Sequence, residues 1–137
     1  MFLFSILLLS CEDSDRNPLL PPVGTDGFFI VNEGGFGNGN TSLSFYSDQT
    51  GTLYSDVFYN ITDAALGDQA QSMEIHNGLG YIVVQNSAKI EVIDVFGFDH
   101  VGTISDDLSS PRYFVGYSDT KGFVSDWGDG FNGFGNF

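Results

Sequence analysis

The side chains of this chain that could do chemistry are few, and most are neutral. There is one cysteine, Cys11, and there are two histidines, His76 and His100. No Gly-x-Ser-x-Gly elbow occurs, and neither histidine stands near paired carboxylates, so nucleophilic catalysis has little support. A lone cysteine excludes an internal disulfide framework and a cysteine-rich zinc site, and the two histidines are too far apart to suggest a zinc pair. Asp126, Asp129 and Asn132 offer oxygen ligands among glycines, but their spacing is not the alternating pattern of a calcium loop. The run from Gly34 to Gly39 looks superficially like a phosphate cradle, yet no helix follows to supply a positive end. No cofactor is therefore expected. What remains suits binding: Asn32, Glu33, Gln71, Asn86, Ser87, Arg112, Tyr113, Asp126 and Trp127. Amides, one guanidinium, carboxylates and aromatic rings can hydrogen-bond and stack on a polar small molecule or glycan. The competing role for the same residues is to cap strand ends and turns. Arg112 follows Pro111, which fixes an extended entry, and could bind an anion or pair with Asp126, and Trp127 could pack inward or present a stacking platform.

These residues can act together only if the backbone brings them to one place. From Gly27 onward, short apolar runs alternate with Gly, Asn, Asp and Ser, and no helical periodicity exceeds two turns. That pattern predicts an all-β domain. The clearest unit runs from Gln71 to Ser105: QSMEIHN, a tight turn at Gly78-Leu79-Gly80, the buried run YIVVQN, then KIEVIDV and DHVGTIS. This reads as a four-stranded antiparallel meander about 35 residues long, the size of a propeller blade.

The unit recurs. GYIVVQNS at 80–87 matches GFVSDWG at 122–128 and GFFIVNEG at 27–34, KIEVIDV at 89–95 matches SLSFYSD at 42–48, and SPRYFVGYSDTKG at 110–122 stands where AQSMEIHNGLG stands one unit earlier. With the strands of a blade lettered a to d from the inside, the first unit supplies b (28–32), c (42–47) and d (52–61). The second is complete, and the third supplies a (112–117) and b (122–126). The expected fold is thus an all-β propeller fragment of roughly two and a quarter blades, with Phe137 inside a b–c loop and the C-terminus incomplete. In such a meander the start of strand a and the b–c loop share one rim, which is what would gather the binding set listed above.

Composition narrows the partners. The chain has 137 residues, 42% of them hydrophobic, enough for one small domain with a core. Its formal net charge is −14, and its only basic residues are Arg16, Lys89, Arg112 and Lys121. Without clustered Lys and Arg it cannot neutralise a phosphate backbone or hold an anionic membrane surface, so no nucleic acid is expected as a partner.

The N-terminus points to a different attachment. MFLFSILLLS, residues 1–10, is apolar but too short to span a bilayer and fits the core of a secretory signal. Leu8-Leu9-Ser10-Cys11 resembles a bacterial lipobox. That resemblance implies cleavage before Cys11 and acylation of its thiol, making Cys11 the lipidation site and the lipid bilayer a partner. The basic residue that should open a signal is missing. Glu12-Asp13-Ser14-Asp15 resembles the export tag of surface lipoproteins, and residues 11–26 are read as a flexible tether leading to a β-propeller domain at 27–137.

GFFIVNEGGFGNGNTSLSFYS, LGDQAQSM, GYIVVQNSAKIEVID, SPRYF and SDTKGFVSDWG together resemble the N-terminal part of Bacteroidetes surface propeller lipoproteins, described as YncE-like or DUF5074 proteins. The resemblance implies a propeller on the cell surface, anchored in the outer membrane, often beside a TonB-dependent transporter. It implies non-catalytic capture of a ligand or partner. One alternative is a nutrient-capture subunit for vitamin B12 or a glycan; another is a propeller enzyme of the lyase or lactonase type.

Overall fold

The computed structural model describes residues 19–128. Cys11, and with it the lipidation reading, lies outside them, as do Asp129 and Asn132. Among these described residues, nine strands form three consecutive antiparallel sheets: β1 (Gly27–Asn32), β2 (Ser42–Ser47) and β3 (Thr52–Tyr54); β4 (Ala70–His76), β5 (Leu79–Val84), β6 (Lys89–Asp94) and β7 (His100–Ile104); and β8 (Pro111–Ser118) with β9 (Lys121–Asp126). Within each sheet sequence neighbours are spatial neighbours. The fold is all-β and built of propeller-type blades: among the described residues, one complete meander, one sheet without a strand a, and one a–b pair, a little over two blades.

Two local details differ from the sequence reading. Strand d of the first unit ends at Tyr54, and Val57–Thr62 is a short helix, α1, not the rest of a strand reaching residue 61. Its VFYNIT sequence favours a strand. Packing overrides that preference, because Val57 and Phe58 are buried and Ile61 packs on the core from the same helix. The β4–β5 turn is made by Asn77 and Gly78, both at positive φ, one residue earlier than expected.

The core lies between the first two sheets. Leu43, Phe45 and Tyr54 meet Ile82, Val84 and Ile93, with Leu66, Phe98 and α1 closing the ends. Phe29, Phe45 and Phe98 pack ring against ring at centroid distances of 4.9 to 6.0 Å. Residues 19–26, the last part of the stretch read as tether, are packed onto this body. Leu20 joins the core, Asn60 donates to the Leu19 carbonyl (3.0 Å), and Gly24 N–H donates to the Phe96 carbonyl (3.0 Å). No helix among the described residues is long and apolar enough to cross a membrane.

One charged cluster is buried in the second sheet. Glu91, 4% exposed, accepts hydrogen bonds from Lys89 Nζ (2.6 Å), His100 Nε2 (2.9 Å) and Thr103 Oγ1 (2.7 Å). Burial alone would raise its pKa. The donated hydrogen bonds and the Lys89 charge outweigh that and hold it below the usual glutamate value.

Candidate functional site

The rim at which strands a begin and strands b end carries two copies of one construction. At the start of β4, Ala70 pairs with Val84 but Ser72 pairs with Val83, so Gln71 is an extra residue outside the ladder. At the start of β8, Pro111 pairs with Asp126 but Tyr113 pairs with Ser125, so Arg112 is the equivalent extra residue. A bulge re-aims its side chain, and both side chains reach back to the end of strand b in the preceding sheet. Gln71 Nε2 donates to Glu33 Oε1 (2.8 Å), and Arg112 Nη1 donates to Gln85 Oε1 (2.5 Å).

Each pair is buttressed. Beneath the first, the buried Thr41 hydroxyl donates to the Glu33 carbonyl and accepts from Ala70 N–H (2.8 Å), tying the end of β1 to the start of β4. Around the second, Gln85 Nε2 donates to Ser110 Oγ (2.9 Å) and Ser72 Oγ donates to the Arg112 carbonyl (2.9 Å). The Arg112 guanidinium lies 4.0 Å from the centroid of the Trp127 ring. Trp127 is 66% exposed, so one ring face carries a cation while the side chain stands largely in solvent.

Asp126 does not pair with Arg112. Its carboxylate accepts from Ser109 N–H (3.0 Å), Ser110 N–H (2.9 Å) and Gly128 N–H (2.6 Å), fixing the chain on either side of the β8–β9 pair. Slight burial would raise its pKa, but these three backbone donors outweigh it and lower the value.

The binding set expected from sequence is thus only partly convergent. Glu33 and Gln71 meet directly. Arg112 and Trp127 meet, with Asp126 organising the backbone that carries Trp127. Asn86 and Ser87 lie in a 3-10 turn after β5 and are occupied locally: Asn86 Nδ2 donates to Asp68 Oδ2 (2.5 Å), and Ser87 Oγ accepts from Asp68 N–H (3.0 Å). The same Asp68 oxygen accepts Gly37 N–H (2.9 Å), which docks the glycine-rich loop on this rim. Asn32 bonds the Ser42 and Ser44 hydroxyls, both at 3.1 Å, and stays with its own sheet. Tyr113 is exposed in β8, one residue beyond the bulge. His100 is held by Glu91, and the His76 ring packs on Gly116 and donates to the Ser118 carbonyl (3.1 Å).

Two features escaped the sequence reading. Gln85, the hub of the second pair, reads as the polar tail of a buried strand, although it aligns with Asn32 one unit earlier. A second concavity lies at the opposite rim between β1 and β4, where the first sheet has no strand a among the described residues. It measures about 510 Å³ and is lined by Phe28, Phe29, Phe45, Met73 and Ile75 beside Asp26.

The family model described as Domain of unknown function (DUF5074) matches residues 26–134. The chain belongs to the DUF5074 family. No curated protein matches it significantly. Every residue of both rim pairs falls inside the DUF5074 match, and Cys11 falls outside it.

Proposed function

We propose that this DUF5074 chain is a cell-surface, lipid-anchored binding protein without catalytic activity, and that its ligand rests on the rim built by the two bulge residues. The observation that carries this reading is the Arg112–Trp127 stack, braced through Gln85 and left open to solvent. A guanidinium fixed over an indole presents a flat apolar surface edged with N–H donors. Glu33 and Gln71 add an exposed carboxylate and amide on the same rim. That combination suits a sugar ring or another polar ring-bearing small molecule. The lipobox at Leu8–Cys11 supports anchoring, and the YncE-like, Bacteroidetes resemblance supports the outer membrane of such a bacterium as the location. Ligand capture for a TonB-dependent transporter, with vitamin B12 or a glycan as cargo, would use the same rim.

The chain holds a single tryptophan, so its fluorescence reports this rim alone. Titration with a panel of oligosaccharides and cyanocobalamin is expected to give a saturable change for one class. Arg112→Ala should weaken that binding by about tenfold, roughly 1.4 kcal/mol. A panel that leaves the emission unchanged, or an Arg112→Ala affinity equal to the parent, would remove the rim as the site. Cys11→Ser, expressed in a bacterium that acylates lipoproteins, should move the protein from the membrane to the soluble fraction. Unchanged fractionation would contradict the anchor.

A further inference from the structure

Asparagine followed by glycine is prone to spontaneous rearrangement, because glycine has no side chain to shield its nitrogen or restrict its rotation. The sequence holds three such pairs, Asn38–Gly39, Asn77–Gly78 and Asn132–Gly133, and the structure describes the first two. Both of those asparagines are exposed, yet the fold treats them differently. Asn77 and Gly78 form the β4–β5 turn, both at positive φ, and the pairing of His76 with Leu79 closes it. The Asn77 amide is held as well. Its Nδ2 donates to Asp119 Oδ1 (2.8 Å) across to the third sheet and lies 3.2 Å from His76 Nε2. For the Gly78 nitrogen to reach Asn77 Cγ, the amide must leave Asp119 and the backbone between the two residues must rotate, which opens the turn.

Asn38 and Gly39 carry none of these restraints. They lie in the glycine-rich loop between β1 and β2. That loop is held by three bonds: Asn38 N–H to the Gly35 carbonyl (3.0 Å), Gly35 N–H to Asn40 Oδ1 (2.8 Å) and Gly37 N–H to Asp68 Oδ2 (2.9 Å). Neither the Asn38 side-chain amide nor the Gly39 N–H makes a hydrogen bond among the described residues. A Cβ built on Gly39, as on Gly37, would meet nothing within 4 Å, so no neighbouring atom limits rotation there. The nucleophile and the amide it would attack are both free, one residue from the bond that docks the loop on Asp68.

We propose that Asn38–Gly39 is a self-modifying site: the folded chain deamidates at Asn38 in preference to Asn77, and the product frees the glycine-rich loop from Asp68. The Gly39 nitrogen attacks Asn38 Cγ. The new N–Cγ bond replaces the Cγ–Nδ2 bond, and Nδ2 leaves as ammonia with the proton that the Gly39 nitrogen gives up. Water then adds to either carbonyl of the resulting succinimide, and the product is aspartate or isoaspartate. The new carboxylate stands beside the residue whose N–H bonds Asp68, in a loop that opens on Glu33 and contains no Lys or Arg. Like charges repel, and the bond they oppose is a single exposed one. Isoaspartate also lengthens the backbone by a methylene and shifts Gly37 against its acceptor.

Peptide mapping by mass spectrometry tests it, on the folded parent chain incubated at mildly alkaline pH, where the glycine nitrogen loses its proton more readily. The same chain unfolded in urea is the reference, and there the two pairs should react at similar rates. In the folded chain Asn77 should fall about tenfold or more behind Asn38, because Asn77 reacts only while its turn is open. An Asn77 as fast as Asn38, or an Asn38 that folding halts, overturns the proposal. Asn38→Asp, which supplies the charge of the product, should quicken hydrogen exchange at the Gly37 amide, read by NMR. Exchange equal to the parent's overturns the release of the loop from Asp68. Neither measurement needs a ligand, so the outcome is independent of what the rim binds.

Discussion

The two contacts between sheets differ in how much polar bonding is added to apolar burial. Between the first and second sheets, side chains do the work: Leu43, Phe45, Ile82, Val84, Ile93 and Phe98 exclude water from a continuous apolar layer. On the face turned to the third sheet, Val83, Ile90 and Val92 are buried and Tyr81 stacks on Phe114, and polar bridges are added to them. Ser72 reaches the Arg112 carbonyl, His76 reaches the Ser118 carbonyl, Asn77 Nδ2 donates to Asp119 Oδ1 (2.8 Å), and Gln85 bonds Arg112 and Ser110. Apolar burial contributes about 25 cal/mol per Å² regardless of direction, whereas each such hydrogen bond nets only about 1 kcal/mol. Apolar burial therefore supplies most of the stability at both contacts, and the second carries more of the bonds that fix alignment. The β8–β9 pair, joined to the second sheet by that stack and by these bonds, carries the Arg112–Trp127 platform.

That contrast can be broken most severely from the core side. Phe45→Ala removes a ring shared by Phe29 and Phe98 and should cost about 3–5 kcal/mol, read by urea denaturation of the whole chain. An effect below about 1 kcal/mol would show that the apolar layer is not the main support. At the second contact, a Cβ on Gly116 would lie 2.1 Å from His76 Cγ. Gly116→Ala should destabilise by about 1–3 kcal/mol through overpacking. Amide hydrogen exchange should quicken in β8 and β9 far more than in β5 and β6, and equal acceleration in both would erase the distinction between the sheets.

Glu91 sharpens the comparison within the second sheet. Its folded pKa is lowered, so its stabilising contribution is full above the unfolded glutamate pKa of about 4.3 and fades as pH falls through the lower folded value. Melting of the parent should therefore weaken in that acidic window. Glu91→Gln should lose about 1–3 kcal/mol at neutral pH and show a flatter acid dependence. An unchanged pH profile in the variant would mean that another carboxylate controls acid unfolding. The smallest effect is expected from Gln71→Ala, about 1 kcal/mol or less, because its bond to Glu33 is exposed. Thr41 beneath it should keep the rim in place.

The strands were legible because their signal is local. QSMEIHN, YIVVQN and KIEVIDV alternate or run apolar within a few residues, and the meander follows from short turns between them. The helix at Val57–Thr62 was not legible, since β-branched and aromatic residues favour a strand and only the core they fill reverses that preference. Glu91 was equally hidden: its neighbours Ile90 and Val92 mark a buried strand, but its acceptance into the interior depends on His100 and Thr103, which arrive from the next strand. The rim was legible only in outline. Gln71 and Arg112 stood out as polar residues opening a strand, but nothing near them in the chain announces a bulge.

By itself the sequence determined the all-β class, the repeated unit and the order of its strands, because side-chain alternation and turn residues act over a handful of positions. Tertiary structure alone decided which polar groups face one another: Gln71 with Glu33, Arg112 with Gln85 and Trp127, Asp126 with the backbone rather than with Arg112. Those choices depend on a one-residue slip in the ladder and on the packing of one sheet against the next, distances across space that no local pattern encodes.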